Sequence, residues 1–223
     1  MRTRATQRDL RFRSTSRGGR RPGAGRPRGP HVSHISRERF AARYPCHVTL
    51  KVRPDLPSLR TVRLVRELER SFARGCERGG FRLVHYSLQG DHAHLLVEAN
   101  GRAALGRGMK SLAARFARAV NRVFDRSGAV LADRYHLHVL RSPSEVRSAL
   151  RYVLLNHCKH ARRRRAAARP DPASSGRFFD GWREKLGPQS GASPVARAHT
   201  WLLSRGWRRG GGRISLVDVP GGT

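Results

Sequence analysis

The sequence predicts an α+β domain: an antiparallel sheet with two helices on one face, followed by a further helix that bears a tyrosine. Three observations predict it. Four segments show the apolar, β-branched patterning of strands. Two long segments between them carry apolar residues at helical spacing. The resulting order of strand, helix, strand, strand, helix, strand is that of a split βαβ, or ferredoxin-like, unit.

Residues 46–52 (CHVTLKV) alternate and are β-branched, and Pro54 and Pro57 close the strand. Residues 59–77 place Leu64, Val65, Leu68 and Phe72 on one helical face and Arg63, Arg66 and Arg70 on the other, with Gly79-Gly80 as the stop. Residues 81–88 read as the second strand, Gly90-Asp91 as a hairpin turn and residues 92–99 as the third strand. Residues 105–124 form the second helix. Met109, Leu112, Phe116, Val120 and Val123 point inward there, and Lys110, Arg115, Arg118 and Arg122 outward. Residues 130–140 supply the fourth strand. Ser142-Pro143-Ser144-Glu145 combines a serine cap, a proline at the first helical position and a glutamate three residues after the cap, so a helix starts here and runs to about residue 162. It carries Tyr152 and Asn156 one turn apart on one face. With two helices on one side of the sheet, the opposite face is left open for a site.

Residues 1–40 are basic, punctuated by glycine and proline, and too poor in apolar residues to build a core, which makes them a disordered arm. Within it, the Gly-Arg-Pro of residues 25–27, with Arg26 and Arg28, resembles the centre of an AT-hook that lies in an A·T minor groove; a generic polybasic tail is the other reading. A globular domain spans residues 45–162. The run Arg162-Arg163-Arg164-Arg165 leads into a Pro/Ala/Ser stretch, so 163–176 reads as a linker. Residues 177–223, with Phe178, Phe179, Trp182, Trp201 and Trp207, form an aromatic-rich tail able to dock back on the domain.

The chain's 47 Lys and Arg against 15 Asp and Glu give a formal charge of +32 over 223 residues, which calls for a polyanionic partner. Nucleic acid is the first candidate and a membrane surface the second. Only four of those cations are lysine, and guanidinium groups pair bidentately with phosphate and stack on bases. Cys46, Cys76 and Cys158 are odd in number and lack CxxC spacing, which excludes a disulfide framework and a cysteine zinc site and fits a reducing compartment. No apolar stretch approaches the roughly 20 residues of a membrane-spanning helix.

The chemistry centres on His92-Ala93-His94. Two imidazoles two residues apart on a strand face the same side, where they can ligate one metal. His136-Leu137-His138 has the same spacing, with Asp133 and Tyr135 beside it, and is a rival. Two arguments favour the first pair. Its strand continues as Leu95-Leu96-Val97, apolar on both faces and therefore central. Tyr152 can also approach from another element, whereas Tyr135 shares a strand with its own histidines. Glu98 reads either as outer support for the site or as a solvated strand-end carboxylate.

Residues 91–98 resemble the HUH motif (histidine, bulky apolar residue, histidine), with Ala93 smaller than usual at its middle. Residues 149–156 (ALRYVLLN) resemble the tyrosine helix of the single-tyrosine transposases of bacterial insertion sequences, including the REP-associated tyrosine transposases. The resemblance covers about residues 45–162. It departs from the family where Asn156 is followed by His157, a competing ligand, instead of the frequent proline. It implies that His92 and His94 bind a divalent metal, that Asn156 completes the site through its amide oxygen, and that Tyr152 is the nucleophile. Imidazoles alone suggest zinc or manganese and hard oxygen ligands suggest magnesium or manganese; the resemblance points to Mg or Mn.

The implied activity is cleavage and rejoining of single-stranded DNA through a 5′-phosphotyrosine. The implied partner is single-stranded or hairpin-forming DNA, tracked by the outward arginines of the helices and by Arg162 to Arg165, with a homodimer as one arrangement and the bacterial cytoplasm, at the nucleoid, as the location. Two other readings stay open: a catalytically silent relative that binds DNA or RNA hairpins, and a metallohydrolase that uses water in place of tyrosine.

Overall fold

In the computed structural model the described residues are 40–160, 169–187 and 191–218, with the side chains of 157–160 excepted. The arm up to residue 39, with Arg26 and Arg28, and the run Arg162 to Arg165 lie outside them.

Strands β1 (Cys46–Lys51), β2 (Glu77–Arg78), β3 (Phe81–Leu88), β4 (His92–Ala99) and β5 (His136–Val139) form one antiparallel sheet in the order β2-β3-β4-β1-β5. Without the short edge strand β2, this is the strand order of the split βαβ unit. Helix α1 (Val62–Ala73) crosses from β1 toward β3, and helix α2 (Arg102–Val123) from β4 toward β5. Both pack on one face, where Leu64, Leu68, Phe72, Met109, Leu112 and Phe116 bury against Val48, Leu50, Leu95 and Val97. Each fully buried side chain of this size contributes on the order of 2 kcal/mol.

Alternation decides which strand residues reach the other face. In β1, Cys46, Val48 and Leu50 join the helical core, so His47, Thr49 and Lys51 project oppositely. In β4, Ala93, Leu95, Val97 and Ala99 take the helical side, which turns His92, His94, Leu96 and Glu98 to the far side. Antiparallel register sets Thr49 opposite His94 and Lys51 opposite His92.

That far face is not open. Helix α3 (Pro143–His160) and the C-terminal segment cover it through a second core, in which Val84, Leu96 and Leu140 meet Val146, Leu150, Val153, Phe179, Trp182 and Trp207. The start of α3 is the reciprocal cap read from the sequence: Glu145 N–H donates to Ser142 Oγ at 3.2 Å and Ser142 N–H to Glu145 Oε2 at 3.1 Å. A β-bulge between Leu83 and His85 turns Val84 into this second core.

Three boundaries differ from the sequence reading. The first helix ends at Ala73 rather than residue 77, because Gly79 and Gly80, with φ of 55° and 77°, form the tight turn that pairs Glu77–Arg78 with Phe81 and Arg82. The fourth strand shrinks to His136–Val139; upstream only Leu131 bridges, to Val52. The third difference concerns the stretch 163–176, expected as a linker. Its described part, 169–176, is packed into the fold. Arg60 donates through both terminal nitrogens to the buried Asp171 at 2.8 Å each, Leu88 N–H donates to Ala173 O, and Tyr86 N–H donates to the buried Ser175 Oγ at 2.9 Å. Proline and serine here serve a fixed turn against the β3 edge, which composition alone does not separate from a solvated spacer.

Candidate active site

His92 and His94 sit at the start of β4, next to the tight β3–β4 turn closed by Gln89 N–H donating to His92 O at 2.8 Å. Their rings are 4.6 Å apart between centroids, and the two Nε2 atoms face each other at 3.0 Å. Each ring is held from behind. His92 Nδ1–H donates to Asp91 Oδ1 at 2.7 Å, an interaction that holds the Asp91 carboxyl below its usual range. His94 Nδ1 lies 3.2 Å from both Thr49 Oγ1 and His47 Nε2.

His94 is buried while His92 keeps partial access to solvent. Burial, reinforced by His47 and His92, pushes the His94 pKa down to about 3; burial and then His138 lower that of His47 to about 4. Both are therefore neutral near pH 7, the form in which an imidazole ligates a metal.

Helix α3 lays Tyr152 against His94 and its neighbour His47. Its ring meets His94 edge to face at 4.8 Å between centroids and 72°, and His47 at 5.8 Å and 65°. Tyr152 is half-buried, between the histidines and the second core. The sequence-derived His92, His94 and Tyr152 thus come together within one chain. Asn156 is buried one turn beyond Tyr152 and makes no hydrogen bond to either imidazole. The His157 side chain lies outside the described residues.

The rival elements separate. Tyr135 packs toward the α1 and α2 core, on the far side of the sheet from the imidazoles. His136 and His138 do share the face of His92 and His94, but at the exposed edge strand. Glu98 is neither of the things its position suggested. Buried at 1 % exposure, it accepts from His199 N–H, Thr200 N–H and Thr200 Oγ1 and clamps the C-terminal segment to β4. Lys110, Arg115, Arg118 and Arg122 lie on the α1 and α2 layer, across the sheet from Tyr152, and Arg122 is paired with Glu67.

Sequence reasoning missed His47 and Thr49. The alternation of β1 would have turned both away from the core; what it lacked was the register that sets Thr49 opposite His94. Among the described residues no group of three or more His, Cys, Asp or Glu side chains converges as a metal site.

Comparison with known proteins follows the same lines. The structure is similar to that of a REP-associated tyrosine transposase bound to a REP hairpin, with 16 % identity, a TM-score of 0.45, and coverage of 58 % of this chain and 74 % of that one. It is also similar to a Deinococcus radiodurans R1 protein assigned as a transposase, with 16 % identity, a TM-score of 0.37, and coverage of 49 % and 85 %. No curated protein matches. Residues 43–154, half of the chain, match the family model described as transposase, IS200-like, and with that match the chain belongs to the IS200-like transposase family.

Proposed function

We propose that this transposase cleaves and rejoins single-stranded DNA through Tyr152, with a divalent metal held by His92 and His94. The observation that carries the reading is the edge-to-face contact of the Tyr152 ring with His94 while His94 Nε2 faces His92 Nε2 at 3.0 Å.

The donor set fits a metal. With Asp91 accepting from His92 Nδ1–H, Nε2 is the His92 nitrogen that faces His94 and the one that would ligate an ion. Thr49 and His47 offer His94 Nδ1 the same arrangement. Two lone pairs 3.0 Å apart repel unless a cation or proton sits between them. His92 and His94 would hold the ion, with the amide oxygen of Asn156 proposed as a third, harder ligand that would favour magnesium or manganese over zinc. When bound, such an ion polarises the scissile phosphate and withdraws charge from its non-bridging oxygens.

The remaining work falls to the chain. A free phenol titrates near pH 10, so positive charge beside Tyr152 is needed to favour its phenolate. Its oxygen attacks phosphorus, the phosphorus bond to the DNA 3′-oxygen breaks, and the proton given up by the phenol is made good on that 3′-oxygen. The product is a 5′-phosphotyrosine with the bond energy of a diester, which a second 3′-hydroxyl can reverse. Arg162 to Arg165, and Arg26 and Arg28 in the arm, are proposed phosphate contacts that add to affinity without reading sequence.

Incubation with labelled single-stranded DNA and manganese should give a covalent adduct that Tyr152→Phe abolishes and Tyr135→Phe retains. An adduct that survives Tyr152→Phe overturns the assignment. Free 5′-phosphate products with no adduct would indicate attack by water, and hairpin binding without turnover a silent relative.

A further inference from the structure

Described residues 169–187 and 191–218 lie beyond the matched segment 43–154, yet they complete the second core and present a surface of their own. Of the aromatic side chains in this segment, Phe179, Trp182 and Trp207 are buried, whereas Trp201 is 48 % exposed. The Arg209 guanidinium lies over the Trp201 ring at 5.0 Å from its centroid, and Arg208 over Trp207 at 5.1 Å. Arg205, Arg209 and Arg213 are exposed along the same turn. Residues 191–218 hold five arginines and a single acidic residue, Asp218.

These cations continue onto α3. Arg147 donates to the carbonyls of Gly212 and Arg213, and repulsion from Arg151 and Arg183 adds to burial in lowering its affinity for a proton. Asp218, 4.0 Å from Arg147, is the acidic counterweight. Like charges gathered this closely are costly unless a polyanion neutralises them. Arg147 and Arg151 precede Tyr152 on one helix, with Arg147 about 7.5 Å of helix rise away.

We propose that Trp201, Arg205 and Arg209, continued by Arg213 and backed by the largely buried Arg147, form a second DNA-binding surface that holds a single strand outside the catalytic site, with a base stacked against Trp201 and the exposed arginines on the flanking phosphates. This inference rests on the reading of single-stranded DNA as substrate. An exposed indole beside guanidinium groups suits unpaired bases, whose faces are free; in a duplex they are stacked away. The buried position of the neighbouring tryptophans makes Trp201 the exposed member of the three, and a base would take the place of the Arg209 guanidinium over its ring.

The test uses intrinsic tryptophan fluorescence and anisotropy with a labelled oligothymidylate of about 30 nucleotides, longer than typical single-strand sites of roughly 4–16. Saturating single strand should quench wild-type emission, and Trp201→Phe should lose that quenching while keeping most of the affinity. Trp201→Ala should weaken single-strand binding about tenfold and duplex binding less than about twofold. Arg205→Ala with Arg209→Ala should lower the salt slope of single-strand binding by about 1.4. Binding without quenching, or equal losses on single strand and duplex, would overturn the proposal. If Trp201→Ala fails to fold, as judged by its melting curve, the comparison of wild type with Trp201→Phe still decides. Adduct formation by the wild type is scored separately: its absence sinks strand transfer at Tyr152 and leaves the Trp201 surface to its own binding data.

Discussion

His92-Ala93-His94 and His136-Leu137-His138 share a spacing and a sheet face, and they are built very differently. The first pair opens the central strand β4, next to β1 on one side and β3 on the other. Its members are backed by Asp91, Thr49 and His47 and covered by Tyr152. The second pair stands exposed on edge strand β5, and no hydrogen bond or ring contact joins His136 to His138. Thr49 lies opposite both His94 and His136, so the two pairs are separated by one strand. The contrast shows that two-residue spacing supplies a common direction and nothing more. A ligand pair also needs its tautomers set and its rings immobilised, and those come from neighbours on other strands.

Replacing one histidine of each pair tests this directly. His94→Ala should reduce adduct formation more than about a hundredfold, because it deletes a ligand and a ring under Tyr152, while His138→Ala should change it less than about threefold. Equal losses would mean that the edge pair shares the metal. Removing only the support behind the inner pair should come next. Asp91→Asn should weaken manganese affinity, measured by calorimetry, about 10- to 100-fold with little change in melting temperature.

Acid separates buried from exposed imidazoles through stability. His94 and His47, and His85 in its apolar site beside Phe179, have folded-state pKa values of about 3, 4 and 3, below the usual 6.5. The unfolded chain therefore binds more protons than the folded one between those values and pH 6.5. Stability is fully present above pH 6.5 and falls as pH drops through that window, by up to about 1.4 kcal/mol per pH unit for each group. Denaturant midpoints of the metal-free protein at pH 7 and 5 should show the fall, and His85→Asn should lessen it. The smallest change is expected for Thr49→Val, which removes one of two partners of His94 Nδ1 and should weaken manganese binding only a few fold, as a single hydrogen bond is worth about 1 kcal/mol.

Local signals made most of the fold legible. The alternation in 46–52 and the helical spacing of Leu64, Leu68 and Phe72 report burial on one side of one element, and Ser142 and Glu145 report a cap closed within four residues. Where two explanations shared one signal, the reading went astray. Gly79-Gly80 suits a helix end as well as a hairpin turn. The apolar run of residues 95–97 marked β4 as central without revealing that α3 and Trp207 would cover its far face. Residues 169–176 have the composition of a spacer, and their burial depends on Asp171 finding Arg60, 111 positions earlier.

From the residues alone come the strands and helices, the placement of His92 with His94 on one face, the capped helix that carries Tyr152, and the demand of +32 charges for a polyanion; periodicity and composition are properties of short stretches, or of the whole chain summed. Folding in three dimensions settles what depends on register and on packing between distant segments. It brings His47 and Thr49 behind His94, sends Tyr135 to the opposite core, sets Glu98 to clamp Thr200 and leaves Trp201 exposed beneath the Arg209 guanidinium. Such contacts arise because burying the apolar faces of α3 and of the C-terminal aromatics on the sheet fixes where every polar side chain between them must point.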